Sequence, residues 1–168
     1  MTKKQLKDWD NDGIWQVDIK SGEITLLHSL RTIIECNYQI YFQNCNHNVN
    51  HLMCSPDGKH FIFLHRIYNG KKKRDRLIIS DFKQIKILSD EGLFSHCCWI
   101  DNKIIFAYMR YNDTDGFFFL NTLTGKSQYC NKVNGLNSGD GHPNYKTNFI
   151  VYNNFRFHRH LSYIWELV

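Results

Sequence analysis

The sequence is short of the features that mark several protein classes. It has two prolines and ten glycines in 168 residues, which excludes collagen-like and low-complexity chains. No window approaches ~18 consecutive apolar residues, so no membrane span is expected. The opening MTKKQLKDWDNDG has basic residues but no apolar stretch behind them, and does not read as a secretory signal. No C-x-x-C pair occurs among the six cysteines at 36, 45, 54, 97, 98 and 130. A disulfide framework is one reading of them; a reduced, cytoplasmic protein fits better. Neither charge is in large excess: 21 Lys+Arg against 16 Asp+Glu give a net charge of +5. That falls well short of a nucleic-acid arm, and no nucleic-acid partner is expected. No nucleophile elbow, P-loop or dinucleotide fingerprint appears. Asp81, Asp90, Glu91, Asp101, Asp113 and Asp115 read as turn formers, and no carboxylate pair points to a glycosidase.

What is present is apolar and aromatic. Hydrophobic residues make up 42% of the chain and aromatics 15%, enough for a real core and against global disorder. The length fits one domain or a piece of one. Helical periodicity is weak, and short apolar runs between turn signals argue an all-β fold. Residues 14–19 and 24–30 flank the turn Lys20-Ser21-Gly22-Glu23, a hairpin signature. Residues 31–50 are irregular and rich in Asn, Cys and Tyr: part helical, or an inserted loop. From residue 50 the chain becomes regular, with Ser55-Pro56-Asp57-Gly58 as a tight turn.

Three segments look alike: NHLMCSPDGKHFIFLHR at 50–66, SHCCWIDNKIIFAYMR at 95–110 and GHPNYKTNFIVYN at 141–153. Each has a small or polar residue, then His, a short strand, a polar turn and a strong strand. His51, His96 and His142 are 45 and 46 residues apart, the ~45-residue period of a four-stranded propeller blade. The expectation is a partial β-propeller of four-stranded antiparallel blades in one domain. Residues 10–30 form a half blade, 31–50 an irregular insertion, 50–89 and 95–130 two blades, and 141–168 an incomplete blade. Closed propellers need ~4–8 blades. The chain is then a fragment of a longer propeller, or its open blade edges invite self-association.

SPDG at 55–58 with FIFLHR at 61–66 resembles TolB-type propeller repeats. The fuller set is DGIWQVDIKSGE, NVNHLMCSPDG, FLHR, LSDEGLFSHCCW and DGHPNY. It resembles the oligogalacturonate lyase-like propellers of polysaccharide metabolism. That resemblance implies a seven-bladed propeller, a divalent metal (manganese in the lyase) and β-elimination of uronate oligosaccharides. By motif order it places His51 as base and His96 and His142 as metal ligands. The further His/Gln ligand cluster of that family is not found here.

The residues can be weighed for themselves. First strands of propeller blades line the channel, so His51, His96 and His142 can converge there. Three neutral imidazoles suit a transition metal with open positions for substrate. Such a metal can act as Lewis acid on a uronate carboxylate while a histidine takes the α-proton. The alternative is that each histidine ties blades together by hydrogen bonds. Arg66 can clamp a carboxylate, with His65 beside it and Arg110 at the matching place one blade on; ordinary solvent-facing strand ends are the alternative. Lys72 and Arg74 belong to a basic run at 71–74, read as a loop that attracts an acidic oligosaccharide or polysaccharide or is merely solvated. Trp15, Trp99 and Trp165 read as blade-packing residues. A non-catalytic interaction module is the competing function.

Overall fold

Strands alternate their side chains between two faces, so a chain of short alternating segments must bury one or both faces of each sheet. The computed structural model describes residues 8–134, 140–146, 149–156 and 159–166, and the side chains of 8–134, 140, 141 and 143–145. Four antiparallel sheets follow one another along the chain. The first is the hairpin β1 (Gly13–Val17) and β2 (Ile24–Ser29). The second holds β3 (Asn46–Cys54), β4 (Phe61–Asn69), β5 (Lys72–Ser80) and β6 (Ile85–Gly92). The third holds β7 (Phe94–Trp99), β8 (Ile104–Tyr111), β9 (Thr114–Asn121) and β10 (Ser127–Tyr129). The fourth holds β11 (His142–Lys146), β12 (Phe149–Arg156) and β13 (Arg159–Glu166). Spatial order follows chain order in every sheet. The fold is all-β, a partial propeller whose complete blades are four-stranded and antiparallel.

The sheets stack face against face. Ile14 of β1 and Ile33 pack on Phe61, Phe63 and Ile78 of the second sheet. Its other face, with Ile62, Leu64 and Leu77, meets Phe94, Ile105 and Met109 of the third. The far face of the third sheet buries Cys98, Phe106 and Phe117, against Val133 and Tyr145. Both faces of β4 are therefore covered, which is why FIFLH reads as an unbroken buried run. Each fully buried Phe here contributes about 1.5–3 kcal/mol of transfer free energy. Trp99 packs between blades and donates its indole N–H to the Met53 carbonyl at 3.2 Å. Trp15, expected to pack likewise, is 48% exposed on the outer face of the first sheet with Val17 and Ile24. Trp165 lies outside the described side chains.

Two boundaries differ from the sequence reading, each for a local reason. The 31–50 segment is short helix and then strand. Helix α1 (Leu30–Glu35) starts at Ser29, whose hydroxyl accepts the Thr32 N–H at 3.1 Å; a 3-10 turn follows at Ile40–Phe42, and β3 begins at Asn46. Of the basic run at 71–74, expected as a loop, only Lys71 lies in a turn and the rest is strand. Asn69 pairs with Lys72, so Gly70 and Lys71 alone make the turn, Gly70 at φ 59°. The β8–β9 turn is equally tight: Asn112 and Asp113 both take positive φ, 48° and 59°, as a two-residue hairpin turn with both central residues left-handed requires. Gly13 is a steric necessity, because a Cβ there would lie 2.1 Å from the His28 carbonyl oxygen.

Candidate functional site

The inner strands of both complete blades are irregular where the candidate histidines lie. Between Asn50 and Met53 of β3, two residues, His51 and Leu52, oppose one residue of β4. Between Phe94 and Cys97 of β7, Ser95 and His96 do the same against β8. Each is a one-residue β-bulge, a device that re-aims side chains beside binding sites. Counting back from Met53 and Cys97, His51 matches Ser95 and His96 matches Leu52. The two histidines are thus neighbours in space without being equivalent in the repeat. His51 sits at φ 55°, a left-handed conformation that is uncommon outside glycine.

The bulges bring the two rings together, with centroids 6.0 Å apart and planes inclined by 57°. His51 Nδ1 lies 2.9 Å from Asn50 Oδ1. His96 Nδ1 lies 3.1 Å from Asp140 Oδ1, and the Ser95 hydroxyl donates to Asp140 Oδ2 at 2.6 Å. Carboxylate and amide oxygens only accept, so in these contacts both Nδ1 atoms are the donors. A carboxylate on Nδ1 fixes the orientation of the ring. Tyr108 stands on β8 opposite the His96 bulge; burial pushes its phenol up, with Asp115 and Asp140 adding to the effect. His142 opens β11, which lies against β7; its side chain is outside the described residues.

The remaining expected site residues are placed elsewhere or are already engaged. His65 is fully buried, with one ring nitrogen to His47 and the other to Arg76. Solvent does not reach it, so its surroundings give it a packing role. Arg66 Nε sits 3.3 Å from Asp75 Oδ1, and Lys73 Nζ 3.1 Å from Asp75 Oδ2. These are charge contacts without aligned hydrogen bonds, and they neutralise the buried Asp75. Arg74 pairs with Asp90 at 3.2 Å and lies over the Tyr41 ring. Arg110 is held in both arms by Asp115 across the hairpin, at 2.6 and 2.9 Å. That pairing holds the Asp115 carboxyl below the usual range. Lys72 is exposed at the start of β5. Of the basic run, then, Lys73 and Arg74 face carboxylates of this chain.

Sequence reasoning missed a second polar cluster, made by His47, His65 and Arg76. Arg76 is 0% exposed. It donates to the carbonyls of Ile33 and Cys36 at 2.8 Å and of Asn37 at 3.4 Å, and to His65 Nδ1 at 2.8 and 3.2 Å. His65 Nε2 lies 2.9 Å from His47 Nδ1, and His47 Nε2 lies 3.2 Å from the Phe42 carbonyl oxygen. Burial, then the Arg76 charge and His47, press His65 down to about 2. The one signal in the sequence was Arg76 beside the apolar run LIIS, a cation entering a strand that reads as core.

Of the three expected metal-site histidines, His142 lies outside the described side chains, so the described donors are only part of that set. They offer two imidazoles and Asp140, which Ser95 and His96 already engage; among the described residues no three His, Cys, Asp or Glu side chains are grouped to hold an ion. The six cysteines are free thiols, and burial pushes Cys97 and Cys98 up to about 12, far from a thiolate at neutral pH. Two surface pockets, one lined by His60, Ser80 and Asp81 and one by Tyr111, Phe118 and Tyr129, include neither His51 nor His96. Among the described residues no helix is long and apolar enough to cross a membrane. Fold and site together define a class: a partial β-propeller with a bulge-borne histidine pair between adjacent blades. Searches of protein-family models, of curated proteins and of solved structures found no match to this chain.

Proposed function

We propose that this chain is a cytoplasmic protein that binds acidic, uronate-containing oligosaccharides at the His51–His96 pair and cleaves them by β-elimination. The observation that carries the reading is the meeting of two hydrogen-bond-oriented imidazoles from adjacent blades at 6.0 Å. In the proposed step His51 Nε2 takes the proton at C5 of the uronate. The C–H electrons form the C4–C5 double bond and the C4–O bond breaks. The leaving oxygen takes its proton from a protonated His96, whose imidazolium Asp140 stabilises. Lys72 supplies a cation toward the polyanion, and Arg66 joins it by exchanging Asp75 for a substrate carboxylate. Manganese, the ion of the resembled family, enters only as an addition to the histidine pair, with His142 as a further ligand; no step depends on it.

The test is incubation of the purified chain with oligogalacturonate, reading the ultraviolet absorbance of the unsaturated product. The expected result is product from wild type, lost in His51→Ala and unaffected in Arg110→Ala. Absence of product with binding retained reduces the reading to an acidic-glycan binder. Absence of both removes it. A second reading, a non-catalytic platform that self-associates, rests on the exposed Trp15, Val17 and Ile24 of the first sheet.

A further inference from the structure

Strand register gathers three aromatic side chains on the face of the third sheet that meets the second. Opposed residues of an antiparallel pair share a face, as do residues two apart along one strand. Tyr129 of β10 opposes Phe118 of β9, and Tyr111 of β8 opposes Thr114 further along β9. Phe118 is 3% exposed and belongs to the core between the two sheets, with Tyr111 packed at its margin, while Tyr129 is 38% exposed. The Tyr111 ring stands at 61° to the Phe118 ring with centroids 5.8 Å apart, and the Tyr129 ring at 73° and 5.1 Å. Two tyrosines thus rise steeply from the strands on either side of a phenylalanine. Gly116 seats the outer ring: a Cβ there would lie 2.9 Å from Tyr129 Cε2.

These rings border a cleft of about 320 Å³, whose remaining lining is Asn112, Thr114 and Ser127. That volume is within the range of small-ligand sites, and so is a lining of aromatic walls with a few polar groups. No lining residue carries a charge at neutral pH, and Arg110 and Asp115 of the same hairpin are engaged with each other. The polar groups are lightly used by the chain itself. Thr114 Oγ1 reaches only the Asn112 carbonyl, at 3.5 Å, and Ser127 Oγ has no hydrogen-bond partner among the described residues. The outer wall is β10, the strand of this sheet farthest from β7 and its His96.

We propose that this cleft binds a neutral sugar, one all-equatorial hexopyranose unit of a β-linked glycan, between Tyr111 and Tyr129. A saturated sugar ring has C–H groups on its faces and hydroxyls around its rim. The C–H faces carry partial positive charge and suit the negative π faces of the tyrosines. The rim hydroxyls both donate and accept, as do the Asn112 amide and the Thr114 hydroxyl. A charged sugar would meet no counter-charge in this lining. A wholly apolar ligand would take water from Asn112 and Thr114 and return no partner. An axial hydroxyl would hold the ring off the aromatic face, so the equatorial sugar is favoured. The site stands apart from the uronate reading: the histidine pair is read as meeting an acidic sugar, and this cleft as meeting a neutral one.

The experiment is a titration of the whole chain with cellotetraose, a β-linked run of equatorial glucose units, followed by aromatic proton–carbon NMR at ~50 and ~300 mM salt. Signals of Tyr111, Phe118 and Tyr129 are expected to shift on one saturable curve, with the same affinity at both salt levels because no charge is recognised. Tyr129→Ala is expected to weaken binding at least about fivefold, with a urea midpoint near that of wild type. β-1,4-Galactotetraose, which carries an axial hydroxyl, is expected to bind more weakly than cellotetraose. If Tyr129→Ala does not fold, the wild-type shift map replaces it and must centre on Tyr111, Phe118 and Tyr129. No saturable shift, shifts centred on His51 and His96, unchanged affinity in Tyr129→Ala, equal binding of the galactan, or an affinity that falls with salt overturns the proposal. Cleavage of oligogalacturonate bears on the histidine pair alone, so either reading can fail without the other.

Discussion

Two histidine pairs in this molecule have similar spacing and opposite character. His47 and His65 stack at 5.0 Å with planes 25° apart, both buried. His51 and His96 meet at 6.0 Å and 57°, His51 exposed and His96 partly so. The first pair ends on an arginine and a carbonyl, which fix its protons and leave it no solvent. The second ends on Asn50 and Asp140, which orient the rings and leave them at the surface. His47 and His51 stand four residues apart on one strand. Neighbourhood, and not residue type, separates a buried packing histidine from one left at the surface.

The sharpest way to break that contrast is to remove Arg76. Arg76→Ala strips three carbonyls and His65 of their donor in the core. Loss of at least about 3 kcal/mol is expected in urea unfolding, since buried bonds to charged groups are the costly ones.

The buried pair also makes stability depend on pH. His65 has an ordinary value of 6.5 and a folded value of about 2. Between those values the unfolded chain holds the extra proton. Stability is therefore full above pH 6.5 and is lost as pH falls through that window, by at most about 1.4 kcal/mol per pH unit. Denaturant midpoints measured at successive pH values check the slope, and His65→Gln should flatten it. A wild-type midpoint that stays constant below pH 6.5 contradicts the assignment.

The architecture was legible because its signals are local. Alternating apolar runs and the turns at Gly22, Gly58 and Gly125, all at positive φ, mark the hairpins, and the ~45-residue period marks the blades. The approach of His51 to His96 was legible through the same repeat, although their registers differ by one position once the bulges are counted. What the sequence did not disclose is which charged side chains face each other across the hairpins. That Arg66 meets Asp75 and Arg110 meets Asp115 follows from hairpin registers set by the two-residue turns at Gly70 and Asn112. The basic run at 71–74 looked like a loop because charge usually marks one. Here β5 carries its cations at the hairpin end, and Asp75 and Asp90 neutralise two of them.

The smallest effect sharpens the contrast from the other side. Arg110→Ala removes an ion pair whose partners are 42% and 39% exposed. A midpoint close to that of wild type is expected in the same urea assay, because solvent screens such pairs.

The most direct test of the account sets one member of each pair side by side. Oligogalacturonate binding by isothermal titration is measured for wild type, His96→Ala and His65→Gln, each with its urea midpoint. The account predicts that His96→Ala keeps a near-wild-type midpoint and loses binding, while His65→Gln loses stability and, where folded, still binds. Unchanged binding in His96→Ala, or a midpoint that collapses as far as that of His65→Gln, would contradict it.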